Sequence, residues 1–393
     1  DLEPLLGPAT IKLDASFADD GAVTLRDVTA SNSAFQLSGD GAIAPGGAVA
    51  GKARLTIGNA APFAGFLPKV AGPDGRIIPM ASWQSLVADL VLGGTVNAPE
   101  LSLKVDGREI GVTAAGSRYG AGTVTLTATA RGDGALTAEA TRFAVKLNGV
   151  ADALSASDKA VAAALGPRLT LAAEGRADRS GRLDITSSRI EATPIVATYV
   201  GQVDPASVKG KLMIERADMA ALRGFVDQDL SGRVRLAADV DAAFDLSRLV
   251  VALDGAAQDL KTGIPVADNL IGGRATVKGT VRRAGDGSFG FETFSADAAY
   301  VSLTADGSAT KERANVVAKI ALPELQRLDQ RITGRGDISA TLTGSLSKLD
   351  SRATIALRDA KAMGRPIERL TLNVTAADVL NAPHGELKLD GSV

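Results

Sequence analysis

Apolar residues recur at every second position along most of the chain. In residues 334–360, for example, one row contains Ile338 and Leu342 and another contains Ile355 and Leu357. The residues between them are mostly Ser, Thr, Asp, Arg and Gly. A period of two places alternate side chains on opposite faces of a β-strand. The pattern therefore predicts strands with one apolar and one polar face over nearly the whole chain.

Short turn signals lie between the apolar runs. Asp-Gly occurs nine times, as in Asp254-Gly255, and Asn148-Gly149 is a pair of the same type. Such pairs tolerate the positive φ angles of tight hairpins. Their frequency predicts antiparallel meanders, because parallel strands would need long crossover connections.

A few short segments have helical rather than strand periodicity. Residues 157–165 begin with a capping Ser and stop at Gly166-Pro167, and Pro323 suits the first turn of a helix. The predicted helices are residues 82–92, 157–165, 218–226 and 323–329. Each is expected to form a plug or lid of two or three turns. The apolar segments 60–67 and 219–226 fit either turns that cap the core or lids over an apolar groove.

Internal repetition in the chain is weak but recurrent. Gly232-Arg233 matches Gly334-Arg335 about one hundred residues later, and at the same offset Leu253 meets Ile355. A motif of apolar residue, any residue, Gly, Ser or Thr, and apolar residue recurs at 92–96, 277–281, 342–346 and 389–393, with a diluted copy at 305–309. Glycine in such a strand indicates a bulge, a bend or a close backbone approach, unless it only reflects the 43 glycines of the chain. We predict one continuous repetitive sheet with sub-repeats over residues 1–80, 81–230, 231–330 and 331–393.

Composition narrows the class of protein. The 393 residues are 45% hydrophobic and 22% charged, with a net charge of −2, which is typical of globular rather than disordered chains. No basic surplus exists to neutralise phosphates, so we expect no nucleic-acid partner. Cysteine is absent, which excludes thiol chemistry and fits an oxidising compartment such as the periplasm. The chain begins at Asp1 without Met, and we expect it to be an interior or processed piece of a longer protein.

Candidate catalytic chemistry is sparse. His384 is the single histidine, and no second His or Cys could share a metal ion with it. The Asp-Gly carboxylates are expected to bond to turn backbone. Arg335-Gly336-Asp337 matches an adhesive tripeptide, but a match of three letters arises easily by chance. We predict no enzymatic activity, no bound metal and no cofactor.

The shortage of aromatic residues bears on where the apolar face is buried. Only 4% of the residues are aromatic, whereas a sandwich core about 10 Å thick usually includes large rings. One long sheet folded into a trough is an alternative, with the apolar face of each strand lining the inside. Exposed apolar surface of that extent indicates a ligand or partner. An aliphatic lining without polar anchors suits acyl chains.

Several segments combine Leu-x-Gly-Ser/Thr-Leu/Val strands with short inserts that contain Pro and Leu. Examples are "IALPELQRLDQRITGRGDISATLTGSLSKL", "RDAKAMGRPIERLTLNV" and "LSGRVRLAADVDAAFDLSRLVVALDGAAQDLKTGIPV". These segments resemble the TamB and AsmA-like family of Gram-negative envelope proteins. Residues 200–393 carry most of the likeness, and residues 1–199 resemble the family in style only.

The resemblance implies a fold, a location and a function. The family forms a long β-groove, or β-taco, that spans the periplasm and is anchored in the inner membrane. It meets an Omp85-type, TamA-like barrel at the outer membrane, through parts that would lie outside this sequence. The implied roles are lipid transfer between the membranes and assistance to outer-membrane protein assembly. The family brings no catalytic residues or cofactor.

The fold class expected from these patterns is all-β with a few short helices. The sheet would be elongated, curved, mostly antiparallel and folded into a U-shaped groove. Phospholipid acyl chains would be the ligand. The residues predicted to line the groove are Leu101, Leu103, Val105, Leu126, Leu236, Leu253, Leu303, Ile338, Leu342, Ile355, Leu357 and Leu372.

Two other classes of protein remain open from the sequence. A tandem β-sandwich adhesin or surface protein fits the repeat offset near one hundred residues. It would require linkers and an aromatic core in each repeat, and neither is found. A β-helix enzyme that acts on polysaccharides would require stacked rings and paired carboxylates in a cleft. The shortage of rings counts against it.

Overall fold

The computed structural model describes residues 8–72, 74–114, 116–135, 141–226, 228–346, 348–367, 369–379 and 384–392. Strands account for 70% of the structure and helices for 7%, so the predicted all-β class with a few short helices is confirmed. Twenty-four strands belong to antiparallel sheet, and two more form a separate small hairpin. The chain divides into two compact units, Asp1–Pro205 (unit 1) and Ala206–Val393 (unit 2).

Unit 1 is a ladder of antiparallel strands with a few inserts. Its strands are β1 (Thr10–Phe17), β2 (Val23–Ser31), β3 (Phe35–Ile43), β4 (Val49–Ile57), β5 (Lys69–Ala71), β6 (Ile77–Pro79), β7 (Ala81–Ser82), β8 (Ser85–Thr95), β9 (Ala98–Ala114), β10 (Ser117–Gly132), β11 (Phe143–Ala156), β12 (Arg168–Ala177), β13 (Leu183–Ala192) and β14 (Ile195–Val203). A 3-10 turn covers Ala61–Phe63, and helix α1 covers Lys159–Leu165. Strands β1 to β4 and β8 to β14 pair in chain order, and β5 pairs with β6.

Unit 2 repeats this arrangement. Its strands are β15 (Ser207–Asp218), β16 (Ser231–Ala243), β17 (Arg248–Lys261), β18 (Gly273–Ala284), β19 (Phe289–Ala298), β20 (Ser302–Ala309), β21 (Ala314–Leu322), β22 (Ile332–Ser345), β23 (Lys348–Ala362), β24 (Arg365–Ile367), β25 (Arg369–Ala377) and β26 (His384–Ser392). Helix α2 covers Pro265–Ile271, and 3-10 helices cover Met219–Phe225 and Leu325–Arg327. Apart from the short β24, these strands also pair in chain order. Meanders of this kind agree with the predicted topology.

The helical inserts of unit 2 lie along one edge of its ladder. In an up-and-down ladder, every second connection falls at the same strand ends, and the inserts occupy the connections β15–β16, β17–β18 and β21–β22. Two of them, α2 and the 3-10 helix Leu325–Arg327, also contact each other and the connection that contains Tyr300. The Tyr300 N–H donates to the Leu270 carbonyl of α2 at 2.9 Å, and the Arg327 guanidinium lies 3.9 Å from the centre of the Tyr300 ring. The opposite edge has tight turns, such as the one at Asp286-Gly287.

Three of the four predicted helices are present as short helical segments. Helix α1 begins after Asp158, whose carboxylate accepts from the N–H groups of Ala160 and Val161, so Asp158 and not Ser157 is the cap. Both 3-10 helices fall inside predicted segments. Helix α2 was not predicted, although Pro265 in its first turn and Gly272 at its end are the usual boundary residues.

The predicted helix over residues 82–92 is wrong, because this segment forms strand β8. Leu86, Leu90 and Leu92 pair directly with Ile57, Ala53 and Gly51 of β4. The same segment fits a helical period through Trp83, Leu86, Val87 and Leu90, and a strand period through Leu86, Ala88, Leu90 and Leu92. Pairing with both β4 and β9 stabilises the strand along its whole length, whereas a helix of this length is only marginally stable without tertiary packing.

Most Asp-Gly pairs are not hairpin turns, contrary to the prediction. Five of the nine lie inside strands, as does Asn148-Gly149. A Cβ at Gly255 would come within 3.0 Å of Leu236 and 3.1 Å of Val277, the residues opposite it on β16 and β18. Glycine there makes room for large neighbours on the apolar face. The small side chain, and not a turn conformation, explains glycine at this position.

Glycine of the recurrent five-residue motif marks close backbone approach, as predicted. Gly94, Gly279, Gly307 and Gly344 have φ values of +78°, +137°, +113° and +103°. A Cβ at any of them would come within 2.0–2.5 Å of backbone on the facing strand. At Gly279 the register between β18 and β19 also shifts, as at a β-bulge. The motif therefore identifies sites where only glycine fits.

Gly94 and its neighbour Gly93 provide a matched test of this interpretation. A Cβ at Gly94 would lie 2.3 Å from the Ala98 carbonyl oxygen, whereas a Cβ at Gly93 meets nothing within 4 Å. We expect Gly94→Ala to lower the free energy of unfolding by about 1–3 kcal/mol, because of the positive φ and the contact. Gly93→Ala should change it by less than about 0.5 kcal/mol. Urea unfolding followed by circular dichroism measures both, and equal midpoints would contradict the interpretation.

Candidate apolar binding face

The strand register of unit 1 brings its four predicted groove residues onto one face. Val105 of β9 pairs with Leu126 of β10, while Leu103 and Leu101 lie two and four residues before Val105 on β9. Residues directly opposite each other on neighbouring strands point to the same side of a sheet. The row through Val105 continues across eleven strands: Ile11, Ala30, Leu37, Leu55, Ala88, Val105, Leu126, Gly149, Leu171, Ile190 and Ala197.

Unit 2 contains a second row of the same kind. Direct partners run from β15 to β26 through Ile214, Leu236, Gly255, Val277, Ala296, Leu303, Ile320, Ile338, Ile355, Leu372 and Leu389. Five of the predicted residues belong to it. Leu253, Leu342 and Leu357 lie an even number of positions from row members on their own strands, so they share its face. The structure therefore brings the eight predicted residues of this unit together.

All twelve predicted residues are half-buried, and none is fully enclosed. In the described part of the chain, eight of the thirteen buried hydrophobic residues are alanines, so fully buried side-chain volume is small. The described residues form no second sheet larger than the hairpin β5–β6. A conventional sandwich would cover such a face with another sheet. The apolar rows are thus shielded mainly by their own neighbours.

One predicted residue belongs to a packed cluster. Leu342 pairs directly with Val316 and packs against the buried cluster that contains Val316 and Leu349, as does the partly buried Phe291. The Phe291 ring also stacks edge-on against Phe289 and Phe294, with centroids about 6 Å apart. At this point the apolar face packs against itself, and Leu342 is a structural contact as well as a lining residue.

The opposite face of each ladder is polar and paired across strands. Arg54 of β4 makes two hydrogen bonds to Asp89 of β8, at 2.6 and 2.9 Å. Lys146 of β11 lies 3.1 Å from Glu174 of β12. Exposed pairs of this type contribute at most about 1 kcal/mol each. They satisfy opposite charges locally, in keeping with the net charge of −2.

Hydrogen bonding alters one carboxylate of this polar face. The Lys104 ammonium lies 2.7 Å from Asp106, and the Thr125 hydroxyl donates to the same carboxylate at 2.9 Å. Together they hold the pKa of Asp106 below its ordinary value. A carboxylate stabilised in its charged form is a poor general acid or base near neutral pH. The lowered pKa of Asp106 therefore reflects its contacts on the polar face and does not indicate a catalytic role.

Unit 1 has a cavity of about 320 Å³ on its apolar face. Its floor includes Gly39, Gly41 and Gly51, which lack side chains. Its walls include Leu25, Leu37, Ile43, Val49, Leu90 and Leu92. None of the twelve predicted residues lines it. The sequence did contain a signal for this cavity. Glycine stands at positions 39, 41 and 51 of β3 and β4, where the alternating pattern would otherwise have an apolar side chain.

A cavity of about 610 Å³ lies on the polar side of the same unit. Charged residues line it: Glu100, Arg131, Lys146, Glu174 and Arg176. Four of them are already paired, Arg131 with Glu100 and Lys146 with Glu174. Because these charges already neutralise each other, the cavity is better explained as a water-filled surface depression than as a binding site for a specific charged ligand.

The remaining candidate residues do not form a site. His384 is exposed at the start of β26, and the described residues contain no cluster of His, Cys, Asp or Glu able to hold a metal ion. Gly336 is buried inside β22, and Asp337 pairs with Arg358 at 3.4 Å. The tripeptide Arg335-Gly336-Asp337 is therefore held in a sheet and not displayed on a loop.

The possible lid segments lie at strand ends. In the segment 60–67, the Phe63 ring lies 5.8 Å from the Trp83 ring, which favours a capping turn. The 3-10 helix of segment 219–226 packs against β16 and leaves Phe225 exposed. Among the described helices, none combines the length and the hydropathy needed to cross a bilayer.

Comparison with known proteins identifies no relative. No protein-family model matches the chain, no curated protein is significantly similar to it, and no solved structure matches it. The relation to the TamB and AsmA-like family therefore stays a prediction from the sequence.

Proposed function

We propose that this protein shields lipid acyl chains on the apolar face of its sheet, as part of lipid transfer between the inner and outer membranes. The observation that carries the proposal is the pair of apolar rows, each crossing eleven strands of one unit without a charged residue. Half-buried aliphatic side chains of this extent favour an apolar ligand. The periplasmic location and the contact with an Omp85-type barrel, for lipid transfer or protein assembly, rest on the sequence resemblance.

The chemistry of the rows suits alkyl chains. Removing a methylene group from water is favourable by about 0.8 kcal/mol, so several methylenes along a row give substantial binding. Neighbouring strands are about 4.8 Å apart, and successive row members therefore offer closely spaced contacts to an extended chain. The row members are aliphatic residues and glycine, with no polar anchor. Without an anchor, a bound chain has no preferred position along the row, which favours movement over storage.

The first test is lipid contact on one face only. We expect benzoyl-phenylalanine at Leu103 or Ile355 to cross-link co-purifying lipid, because both positions lie in or beside the apolar rows. The same residue at Ser102 or Ser339, exposed on the opposite face, should give little lipid adduct. Mass spectrometry of the irradiated protein measures the adducts. Equal labelling of both faces, or no adduct at all, would count against the proposal.

A second test separates an open face from a dry core. Ile355 is half-buried, so Ile355→Asp should leave the carboxylate partly hydrated and the fold intact. The same substitution should abolish lipid cross-linking by benzoyl-phenylalanine placed at Leu372, the direct partner of Ile355 on β25. Leu349→Asp places a charge in the buried cluster and should destabilise the protein by several kcal/mol.

Ser339→Asp is the matched control on the polar face and should change neither fold nor lipid contact. Thermal unfolding and cross-linking yield measure all three variants. If Ile355→Asp unfolds the protein as Leu349→Asp does, the apolar face is a core and the proposal is wrong.

A further inference from the structure

The cavity of about 320 Å³ on the apolar face of unit 1 lies beside residues predicted to line the groove. Its walls Leu90 and Leu92 on β8 pair directly with Leu103 and Leu101 on β9. Another wall residue, Leu37, belongs to the apolar row of this unit. The volume falls within the range of about 300–1,000 Å³ that small-molecule sites occupy. The cavity is therefore continuous with the face proposed to shield acyl chains.

Two of the three glycines in the cavity floor are explained by the fold. A Cβ at Gly39 would lie 2.7 Å from the Lys52 carbonyl oxygen. A Cβ at Gly51 would lie 3.2 Å from the Asp40 carbonyl oxygen. Side chains at these two positions would press against the backbone of a paired strand, which cannot easily shift. Glycine at positions 39 and 51 therefore serves the pairing of β3 with β4.

The fold does not require glycine at position 41. Gly41 has a negative φ angle, so other residues can adopt its backbone conformation. A Cβ there would lie 3.4 Å from the Ala50 carbonyl oxygen and 3.7 Å from the Gly51 Cα, which are ordinary van der Waals distances. Glycine inside a strand is destabilising, because ordering it costs more entropy and it has no side chain to pack. Gly41 therefore keeps space open at the expense of stability.

Large apolar side chains around Gly41 remain accessible to solvent. Leu25 is 37% exposed, Ile43 37% and Leu92 36%, and all three belong to the cavity walls. A larger apolar residue at position 41 would cover part of this surface and remove it from water. The open space and the exposed walls together indicate a site that an apolar ligand fills.

The lining of the cavity selects an uncharged alkyl group. Its charged residues are Asp40 and Lys52, whose side chains point to the polar face and pair there at 3.2 Å. Ser38 lies on the polar face as well, and the remaining lining residues are aliphatic or glycine. No cation in the lining therefore faces the cavity to bind the carboxylate of a free fatty acid. In a phospholipid, the charge belongs to a headgroup that lies away from the acyl chain.

We propose that this cavity holds a phospholipid acyl chain and that Gly41 keeps it open. The proposal rests on the proposed shielding of acyl chains and adds a preferred position to it. A chain on the row contacts the sheet along one side only, whereas a chain in the cavity also meets walls from β2, β3, β4 and β8. More of each methylene group is then removed from water, so binding is tighter there. The row gives a chain no preferred position, but the cavity beside it does.

Filling the cavity tests the proposal. Ile43 lies at the cavity rim, two residues from Gly41 and six from the row residue Leu37. We expect benzoyl-phenylalanine at Ile43 to cross-link co-purifying phospholipid. Gly41→Val should lower the yield of this adduct roughly tenfold, which is the effect of losing contact with about two methylene groups. The adduct formed from Ile355 in unit 2 should stay unchanged.

Gly93→Val is the matched control. A Cβ at Gly93 meets nothing within 4 Å, but this glycine lies on the polar face of β8 and not in the cavity. The control adds the same side chain to a strand of the same unit and should leave both adducts unchanged. Gly41→Val should unfold at the same or a higher urea concentration than the unmodified chain, because a strand glycine is replaced. Gly41→Ala adds only a Cβ and should lower the adduct yield less, which provides a second measurement if valine disturbs the fold.

The outcomes separate this proposal from the proposed function. If both variants of Gly41 keep the fold and the full adduct yield at Ile43, the cavity is not the binding position and the proposal is wrong. An adduct with the mass of a free fatty acid would also overturn it, and so would an equal loss of adduct at Ile355. In the first two cases an adduct at Ile355 still supports the proposed function. An adduct at Ile43 without one at Ile355 would count against the rows and not against the cavity.

Discussion

Strand register is the constraint on which the rest of this structure depends. A slip of one residue between two strands would move every apolar side chain of one strand to the polar face. In a compact sandwich, a second sheet would penalise such a slip. Here the described residues form no second large sheet, so the penalty comes from direct cross-strand partners such as Ile338 and Ile355. Ion pairs on the other face, such as Arg54 with Asp89, oppose the same slip.

Glycine accommodates the β-bulges of the sheet, so that apolar residues stay on one face on both sides of each bulge. Gly232 and Gly334 both have φ angles above +110° and lie against the backbone of Asp259 and Ala360, at places where the register shifts. Bulged strands accumulate twist, and the extra residue would otherwise reverse the two faces. Asp259 and Asp359 adopt positive φ on the strands opposite these glycines. Small and acidic residues thus absorb the local irregularity, and the apolar rows continue beyond it.

Much of the fold could be predicted because most strands share one sequence pattern, the alternation of apolar and polar residues. Period-two alternation identified the strands that contain Leu103, Leu342 and Ile355, and the all-β class followed. The segment around Leu86 was misassigned because one set of residues satisfied two periods, and only its pairing partners decide between them. Asp-Gly pairs inside strands were misassigned because a dipeptide does not reveal whether glycine serves its φ angle or its missing side chain.

The binding face was less accessible to sequence reasoning than the strands. Alternation indicates which residues share a face within a strand, but which residues become neighbours depends on turn lengths and bulges. Leu25, Leu90 and Leu92 were therefore not recognised as walls of one cavity, and its glycine floor gives no hydrophobic signal. Leu342 was recognised as apolar, but its packing against the buried cluster around Val316 required the register of β21 and β22.

The placement of helical inserts along one edge of unit 2 limits how such a ladder can change length over evolution. Gain or loss of a single strand would reverse the direction of every strand after it, and would move α2 or its neighbours to the edge of tight turns. The contact between α2 and Tyr300, and that between Tyr300 and Arg327, would then be lost. Gain or loss of a whole hairpin preserves direction, face and edge together. Ladders of this type should therefore differ between related proteins by even numbers of strands.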